Sequence, residues 1–132
     1  MRVLVDTSVW SLALRKKGPV DHPAVGRLSS LLQANEDVFT TGLVLQEVLQ
    51  AFRSEPAFRT IVSHLEPFPL LELARSDFVA AADLHRRCAA KGVSASTADC
   101  QIAVAAIRNK CVLLTTDRDF ERISRFSDLA LL

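Results

Sequence analysis

Residues 3–10, VLVDTSVW, decide the predicted fold. The run from Arg2 to Val5 is rich in valine, which favours a β-strand, and it ends at the polar triplet Asp6-Thr7-Ser8. A helical stretch through Trp10 follows directly, and Gly18-Pro19 breaks it. A strand that runs straight into a helix is typical of parallel α/β sheets, whose functional residues lie beyond the carboxyl ends of the strands. The position of Asp6 therefore predicts a functional role.

The remainder of the chain alternates between strand and helix patterns in the same way. Residues 37–41 and 111–115 are strand-like, and residues 70–73 and 129–132 are shorter candidates. Helices are predicted at residues 23–34, 43–53, 57–65, 77–91, 98–109 and 118–124, and Gly92 is predicted as the C′ glycine that ends the helix at 77–91. Strands separated by helices indicate a sheet covered on both faces. The predicted fold class is α/β, a three-layer α/β/α sandwich with a mostly parallel central sheet.

Composition narrows the class of protein without identifying a function. A chain of 132 residues predicts one domain, and 49% hydrophobic with 23% charged residues excludes disorder and coiled coils. Sixteen Lys and Arg against fifteen Asp and Glu give a net charge of +1, so the whole-protein field of a strongly basic nucleic-acid binder is absent. If several acids share one crevice, however, the remaining surface is more basic than this total indicates.

Cysteine usage and hydropathy predict the compartment. Cys88, Cys100 and Cys111 form an odd, scattered set without C-x-x-C spacing, which fits a reduced intracellular protein. Asp6 interrupts the N-terminal apolar run too early for a signal peptide, and no apolar run approaches the ~20 residues needed to span a bilayer. We expect a cytoplasmic protein without membrane contact.

Acidic residues stand at the predicted functional edge of the sheet. Asp6 ends the first strand, and Asp117 and Asp119 follow the last long strand. Asp99 lies in the first turn of a helix, and Glu47 lies inside a helix among apolar neighbours. In a parallel α/β fold these five positions converge on one crevice.

Each carboxylate also has a purely structural interpretation. Asp6 and Asp117 can each cap a helix, Ser96 and Asp99 have the spacing of a capping box, and Glu47 can form an ion pair. Asp119 can favour the positive end of the last helix. These interpretations are credible for single residues, and only the joint pattern favours a functional site.

The joint pattern favours a hard divalent cation. Carboxylates within ~4–6 Å of one another repel, and a shared cation or proton relieves that repulsion. Mg²⁺ and Mn²⁺ prefer oxygen ligands. Zinc is disfavoured because His22, His64 and His85 are isolated, and no H-E-x-x-H motif occurs. The sequence also contains no G-x-x-x-x-G-K-[ST], G-x-G-x-x-G or G-x-S-x-G motif.

Four segments resemble the signature blocks of PIN-domain ribonucleases, and most closely those of VapC toxins. They are VLVDTSVW at 3–10, TTGLVLQEVL at 40–49, STADCQIA at 96–103 and TTDRDF at 115–120. The resemblance covers essentially the whole chain and implies a single PIN domain over residues 1–132. It further implies the toxin of a type II toxin–antitoxin pair, a Mg²⁺- or Mn²⁺-dependent endoribonuclease. The family cleaves RNA, with transfer RNA as one candidate, through a metal-activated water that leaves a 5′-phosphate.

The resemblance also implies roles for particular residues. The catalytic quartet that holds one or two ions comprises Asp6, Glu47, Asp99 and Asp117. Asp6 and Asp99 are expected as direct metal ligands, whereas Glu47 and Asp117 hold waters or a second ion. Asp119 is the alternative to Asp117 as the fourth carboxylate. Ser8 and Ser96 match positions that line the pocket of the family.

Partners follow from the same resemblance. RNA requires basic residues near the crevice, and the candidates are Arg15, Lys16 and Arg118. The family also implies a homodimer and a VapB-like antitoxin that covers the active site. Trp10 is expected in the core or at a dimer contact and not as a platform for base stacking.

Two other classes of protein remain open from the sequence. A phosphoacceptor receiver domain has similar length and fold, but it needs paired acids after the first strand, and Val5-Asp6-Thr7 supplies one. A non-catalytic PIN-like module, which acts by occluding a partner, is the other alternative. Metal-dependent cleavage of RNA discriminates the nuclease from both.

Overall fold

A computed structural model describes residues 1–15 and 17–132, and within them four parallel strands form the central sheet. In chain order the strands are β1 (Arg2–Val5), β2 (Asp37–Thr41), β3 (Leu70–Leu71) and β4 (Val112–Leu114). Their spatial order is β3-β2-β1-β4, so β1 is central, with Val3 opposite Val38 on one side and Val112 on the other. The prediction of a parallel sheet is confirmed.

Seven helices connect and cover the strands in the described part of the chain. They are α1 (Thr7–Ala13), α2 (Pro23–Gln33), α3 (Gly42–Gln50), α4 (Glu55–Leu65), α5 (Arg75–Ala90), α6 (Thr97–Arg108) and α7 (Asp119–Ser124). α1 packs with α2 and α3, whereas α6 packs with α5 and α7. Because the chain moves from β1 to β3 in one direction and returns to β4 in the other, right-handed crossovers place these two groups on opposite faces. The fold is a three-layer α/β/α sandwich.

Burial on both faces explains the unbroken apolar runs in the central strands. Val3, Leu4 and Val5 are each 0% exposed, and Leu113 and Leu114 of β4 are equally inaccessible. A strand that is covered on both faces has no solvent face, so residues 3–5 and 113–114 are all apolar and show no alternation of polar and apolar positions. The covered strands hold the residues that follow them, including Asp6, in fixed positions.

Several predicted boundaries are wrong by a few residues. The predicted strand 111–115 shortens to Val112–Leu114, and 70–73 shortens to Leu70–Leu71. Residues 129–132 form no strand: Leu131 makes a single parallel bridge to Leu113, which donates its amide to Ala130 O at 2.9 Å. The segment follows β4 for one pair only, which is too short for a ladder.

Helix ends differ from the predictions by one to three residues. The helices predicted at 23–34, 43–53, 57–65, 77–91, 98–109 and 118–124 correspond to α2 to α7. The helix predicted to end at Arg53 ends at Gln50, and the helix predicted from Asp77 begins at Arg75. Gly92, with φ +73°, follows the C-cap residue Lys91 of α5, as the C′ glycine prediction requires.

Side chains that carried no functional prediction belong to the core. Trp10 is 3% exposed and packs on Phe68, with ring centroids 5.0 Å apart. Cys88, Cys100 and Cys111 are buried and form no disulfide, and burial raises the pKa of the Cys100 thiol to about 11. Across the described residues, every helix is too short or too polar to cross a membrane.

Candidate active site

The strand order places the switch point of the sheet between β1 and β4. The chain proceeds from β1 to β2 and β3 on one side and then crosses back to β4 on the other side of β1. Such a reversal is where α/β sheets bind ligands, at the carboxyl ends of the strands. Asp6 follows β1 there, and its amide donates to Leu114 O at the end of β4, at 2.9 Å.

The Asp6 carboxylate is held by two hydroxyl groups. Its residue is 5% exposed, and its Oδ2 accepts hydrogen bonds from Ser8 Oγ and Thr115 Oγ1, each at 2.8 Å. Each hydroxyl group has one proton, and each donates it to Asp6. The Oδ2 atom of Asp6 is therefore the acceptor in both hydrogen bonds. Asp6 occupies the N-cap position of α1 without a side-chain cap bond, so the capping interpretation of its carboxylate is wrong.

The same two hydroxyls also order the loop between β4 and α7. Ser8 Oγ accepts from the Thr116 amide, and Thr115 Oγ1 accepts from the Asp117 amide, both at 3.0 Å. We call Ser8 and Thr115 the hydroxyl clamp. The clamp joins the end of β1 to the loop that carries Asp117. Ser8 was predicted to line the pocket, whereas Thr115 was missed, although it follows a strand just as Asp6 does.

Three carboxylates converge beside this loop. Asp99, Asp117 and Asp119 each offer an oxygen, and these oxygens lie within 4.8 Å of one another. Asp99 comes from the first turn of α6, and the other two come from the start of α7. Asp117 Oδ1 accepts from the Asp119 amide at 2.9 Å, which fixes the spacing of the pair. Arg118 occupies the N-cap position of α7 without a side-chain cap bond, whereas Asp117 makes such a bond to the first amide of the helix, so the capping interpretation of Asp117 is supported. We call these three residues the acidic cluster.

The environment of Asp99 makes its ionisation costly. Partial burial is the largest cause that raises its pKa, and the charges of Asp117 and Asp119 raise it further. Hydrogen bonds from Ser96 oppose this shift. Ser96 is the N-cap of α6, and its Oγ accepts from the Asp99 amide at 3.0 Å, so the capping prediction for Ser96 is confirmed. Capping also sets the direction in which α6 presents Asp99.

Glu47 and Asp6 lie outside the acidic cluster. Glu47, half-buried on α3, accepts from Thr7 Oγ1 through its Oε1 at 3.1 Å. It forms no ion pair with any residue that the structure describes, so that interpretation finds no support. Thr7 and the clamp residue Ser8 thus connect Glu47 and Asp6 to the same turn after β1. Thr7 was missed because nothing in the sequence pairs it with a residue forty positions away.

The predicted RNA-binding residues lie in different places. Arg118 is exposed and stands between the two carboxylates of the α7 start. Arg15 is exposed after α1, and Lys16 lies outside the described residues.

The acidic cluster fits a hard divalent cation. All of its donors are carboxylate oxygens, and their mutual distances permit one ion to contact all three residues. Neither His nor Cys belongs to the group, and this donor set suits Mg²⁺ or Mn²⁺ better than Zn²⁺.

Fold and site together define a class: a parallel α/β/α sandwich with an acidic cluster near the point where its strand order reverses. The family model of the PIN domain matches residues 3–126, and the chain belongs to the PIN domain family. The resemblance predicted from the four sequence blocks is thereby confirmed, and the receiver-domain alternative is wrong.

Solved structures with this fold come from several bacteria. VapBC2 from Rickettsia felis, bound to a promoter DNA fragment, is 19% identical with a TM-score of 0.79 and covers 100% of this chain and 98% of that chain. VapBC-1 from nontypeable Haemophilus influenzae is 18% identical, with a TM-score of 0.77 and coverage of 100% and 97%. VapC20 from Mycobacterium tuberculosis, described as a toxin that cleaves the sarcin–ricin loop, is 17% identical with a TM-score of 0.66 and coverage of 90% and 92%. At these identities the similarity establishes the fold.

Proposed function

We propose that this PIN-domain protein is a divalent-metal-dependent endoribonuclease and the toxin of a type II toxin–antitoxin pair. The observation that carries the proposal is the acidic cluster, which gathers three carboxylate oxygens within 4.8 Å at the switch point of the sheet. Membership of the PIN domain family supports a nuclease, and the similar solved structures include VapBC complexes and a VapC toxin.

In the proposed mechanism the chain supplies the ligands and their orientation. Asp99, Asp117 and Asp119 would hold the ion, and Asp6 and Glu47 would orient water or a second ion from the β1 side. When bound, Mg²⁺ or Mn²⁺ would activate water and neutralise charge on a phosphodiester. Asp6 would act through Oδ1, because the hydroxyl clamp already occupies its Oδ2 with two hydrogen bonds. This arrangement leaves Asp6 as a single-oxygen donor of fixed direction.

RNA is the proposed substrate, and two kinds of RNA are candidates. Transfer RNA is the substrate first suggested by the family resemblance. The M. tuberculosis neighbour is described as cleaving the sarcin–ricin loop, which makes a ribosomal loop the second candidate. Both are structured RNAs with accessible single-stranded loops, which proteins read more readily than duplex RNA.

A protein partner and a compartment complete the proposal. Two of the similar structures, VapBC2 and VapBC-1, are VapBC assemblies, so we propose a VapB-like antitoxin for this chain. A homodimer and a cytoplasmic location are proposed on the family resemblance and on the reduced cysteines.

Cleavage of a labelled RNA pool with and without Mg²⁺ or Mn²⁺ tests the proposal. We expect metal-dependent cleavage by the wild type and a loss of about 100-fold or more for Asp99→Asn, in the range typical of removing a group that stabilises transition-state charge. Asp21→Asn, which removes an exposed carboxylate that does not belong to the acidic cluster, is the matched control and should cleave at the wild-type rate. Metal-independent cleavage, or equal activity in both variants, contradicts the proposal. RNA binding without cleavage would favour the non-catalytic module.

A further inference from the structure

α7 and its two cap residues carry three arginines on the side that faces solvent. Arg118, Arg122 and Arg125 are all exposed, whereas Phe120 and Ile123 on the opposite side are 1% and 0% exposed. At about 100° per residue, positions 118, 122 and 125 fall within about 60° of one another around the helix axis. The backbone is helical at both end positions, since Arg118 and Arg125 each have αR dihedral angles. We call these three residues the arginine stripe.

The arginine stripe begins at the acidic cluster and leads away from it. Arg118 lies between Asp117 and Asp119 in the chain, and both carboxylates belong to the cluster. A rise of 1.5 Å per residue puts Arg125 about 10 Å further along the helix axis. Successive phosphates of a stacked nucleic-acid strand are about 3.4 Å apart along the axis, so the stripe matches the length of about three nucleotides.

The guanidinium groups of the stripe are available to an external anion. Arg118 and Arg125 form no ion pair with the residues described by the structure. Arg122 Nη1 lies 4.0 Å from Asp119 Oδ1, at the outer limit of an ion pair, and its side chain is 60% exposed. Arg86 differs, because it already binds Asp83 at 2.7 Å. Exposure without a strong internal partner distinguishes the stripe from this paired arginine.

The helix that carries the stripe is fixed on the protein. Phe120 and Ile123 anchor it in the core. Arg87 of α5 donates from Nη1 to Phe126 O, just beyond the C-terminal end of α7, at 2.7 Å, while its Nε binds Asp83 at 3.1 Å. A surface whose backbone is already ordered loses little conformational entropy when it binds a ligand.

We propose that the arginine stripe binds the phosphate backbone of single-stranded RNA on one side of the phosphodiester that is cleaved. This inference rests on the proposed ribonuclease function and adds the path of the strand. Guanidinium groups bind phosphate oxygens with two parallel hydrogen bonds, which suits a linear series of phosphates. The acidic cluster alone repels RNA, and a positive track beside it offsets that repulsion where the strand must approach. The near-neutral net charge of the chain conceals this local separation of charge.

The dependence of RNA binding on salt measures the stripe directly. The experiment uses the full chain, EDTA to prevent metal-dependent cleavage, and fluorescence anisotropy of a short labelled single-stranded RNA. For single strands the slope of log affinity against log salt is about −0.7 per phosphate contact, so R118Q/R122Q/R125Q should reduce its magnitude by about 2. Between about 50 and 200 mM salt, the wild type then loses roughly 20-fold more affinity than the triple variant. Each single substitution should account for about a third of this slope change.

Lys110→Gln is the control for loss of charge. Lys110 is exposed and precedes β4, at the amino end of the strands and thus opposite the crevice. This variant should keep the wild-type slope. An unchanged slope in the triple variant, or an equal reduction in K110Q, would overturn the inference. A second result would also overturn the inference: polyglutamate binds the wild type but not R118Q/R122Q/R125Q, while RNA binds both proteins equally. The surface would then bind an acidic protein segment and not RNA.

Cleavage assays separate this inference from the proposed function. If the wild type cleaves RNA, the triple variant should show a raised KM with kcat within about threefold of the wild type, since the lost contacts are made equally in ground and transition states. Wild-type cleavage with an unchanged KM in the triple variant refutes the stripe alone. Absence of both RNA binding and cleavage in the wild type refutes the ribonuclease itself, and the inference with it.

Discussion

Removal of the Thr115 hydroxyl should lower both the stability of the fold and the metal affinity of the site. This one group donates a hydrogen bond to Asp6 and accepts another from the Asp117 amide. In Thr115→Val the hydrogen bond to the Asp6 carboxylate, 2.8 Å long, is lost, and so is the bond from the Asp117 amide, 3.0 Å long. A hydrogen bond to a charged group contributes about 1.5–3 kcal/mol and a neutral one about 1 kcal/mol. Thr115 is half-buried, so water restores part of both, and we expect a net loss of about 2 kcal/mol in the free energy of unfolding.

Urea unfolding in EDTA measures this loss without any metal. Thr116→Val is the matched control, because the side-chain hydroxyl of Thr116 makes no hydrogen bond within the described part of the chain and its amide bond to Ser8 survives the substitution. Thr115→Ser keeps the hydroxyl and should restore most of the stability. The Mn²⁺ affinity of Thr115→Val should fall by about 10-fold, as is typical for groups that orient metal ligands. A Thr115→Val protein as stable as Thr116→Val would refute the clamp.

Three other substitutions test separate parts of the structure by urea unfolding. Ser96→Ala removes the N-cap bond of α6 and should cost about 1 kcal/mol, and an unchanged midpoint would refute the cap. Asp77→Asn weakens the 2.6 Å ion pair of the buried Asp77 with the half-exposed Arg108 and should cost about 1–3 kcal/mol, so a neutral effect would contradict it. Asp99→Asn should stabilise the metal-free protein, because the raised pKa means that ionised Asp99 destabilises the native state. That gain must appear as pH rises through the carboxyl range and vanish at low pH, where Asp99 is protonated in both states; a gain that persists at low pH contradicts the electrostatic cause.

Local chemistry made much of the fold predictable. Valine-rich runs without polar positions indicate strands buried on both faces, and Val3 and Val5 are indeed fully buried. Gly92 ends α5 because its position requires a positive φ, and Ser96 begins α6 because its side chain accepts a hydrogen bond from the helix. Both predictions are confirmed. The strand prediction for residues 129–132 was wrong, because apolar composition alone does not determine whether a neighbouring strand is long enough to pair with them.

The candidate site was predictable in its carboxylates but not in its connections. The rule about strand ends identified Asp6 and Asp117 from the sequence, and the position of Asp99 in the first turn of a predicted helix made it a candidate as well. The roles of Thr7 and Thr115 depend on partners 40 and 109 positions away, and sheet topology brings those partners together. Sequence alone also left Asp117 and Asp119 as alternatives, whereas the structure groups both with Asp99.

Calorimetric titration of Mn²⁺ into the metal-free protein tests the central claim, that the acidic cluster holds a divalent cation. We expect saturable binding to the wild type, with at least about 10-fold weaker affinity in Asp99→Asn and Asp119→Asn and unchanged affinity in the Asp21→Asn control. Binding should also weaken at acidic pH, because protons compete for the carboxylates and the pKa of Asp99 is already raised. Equal Mn²⁺ affinity in the wild type and both cluster variants would contradict the account.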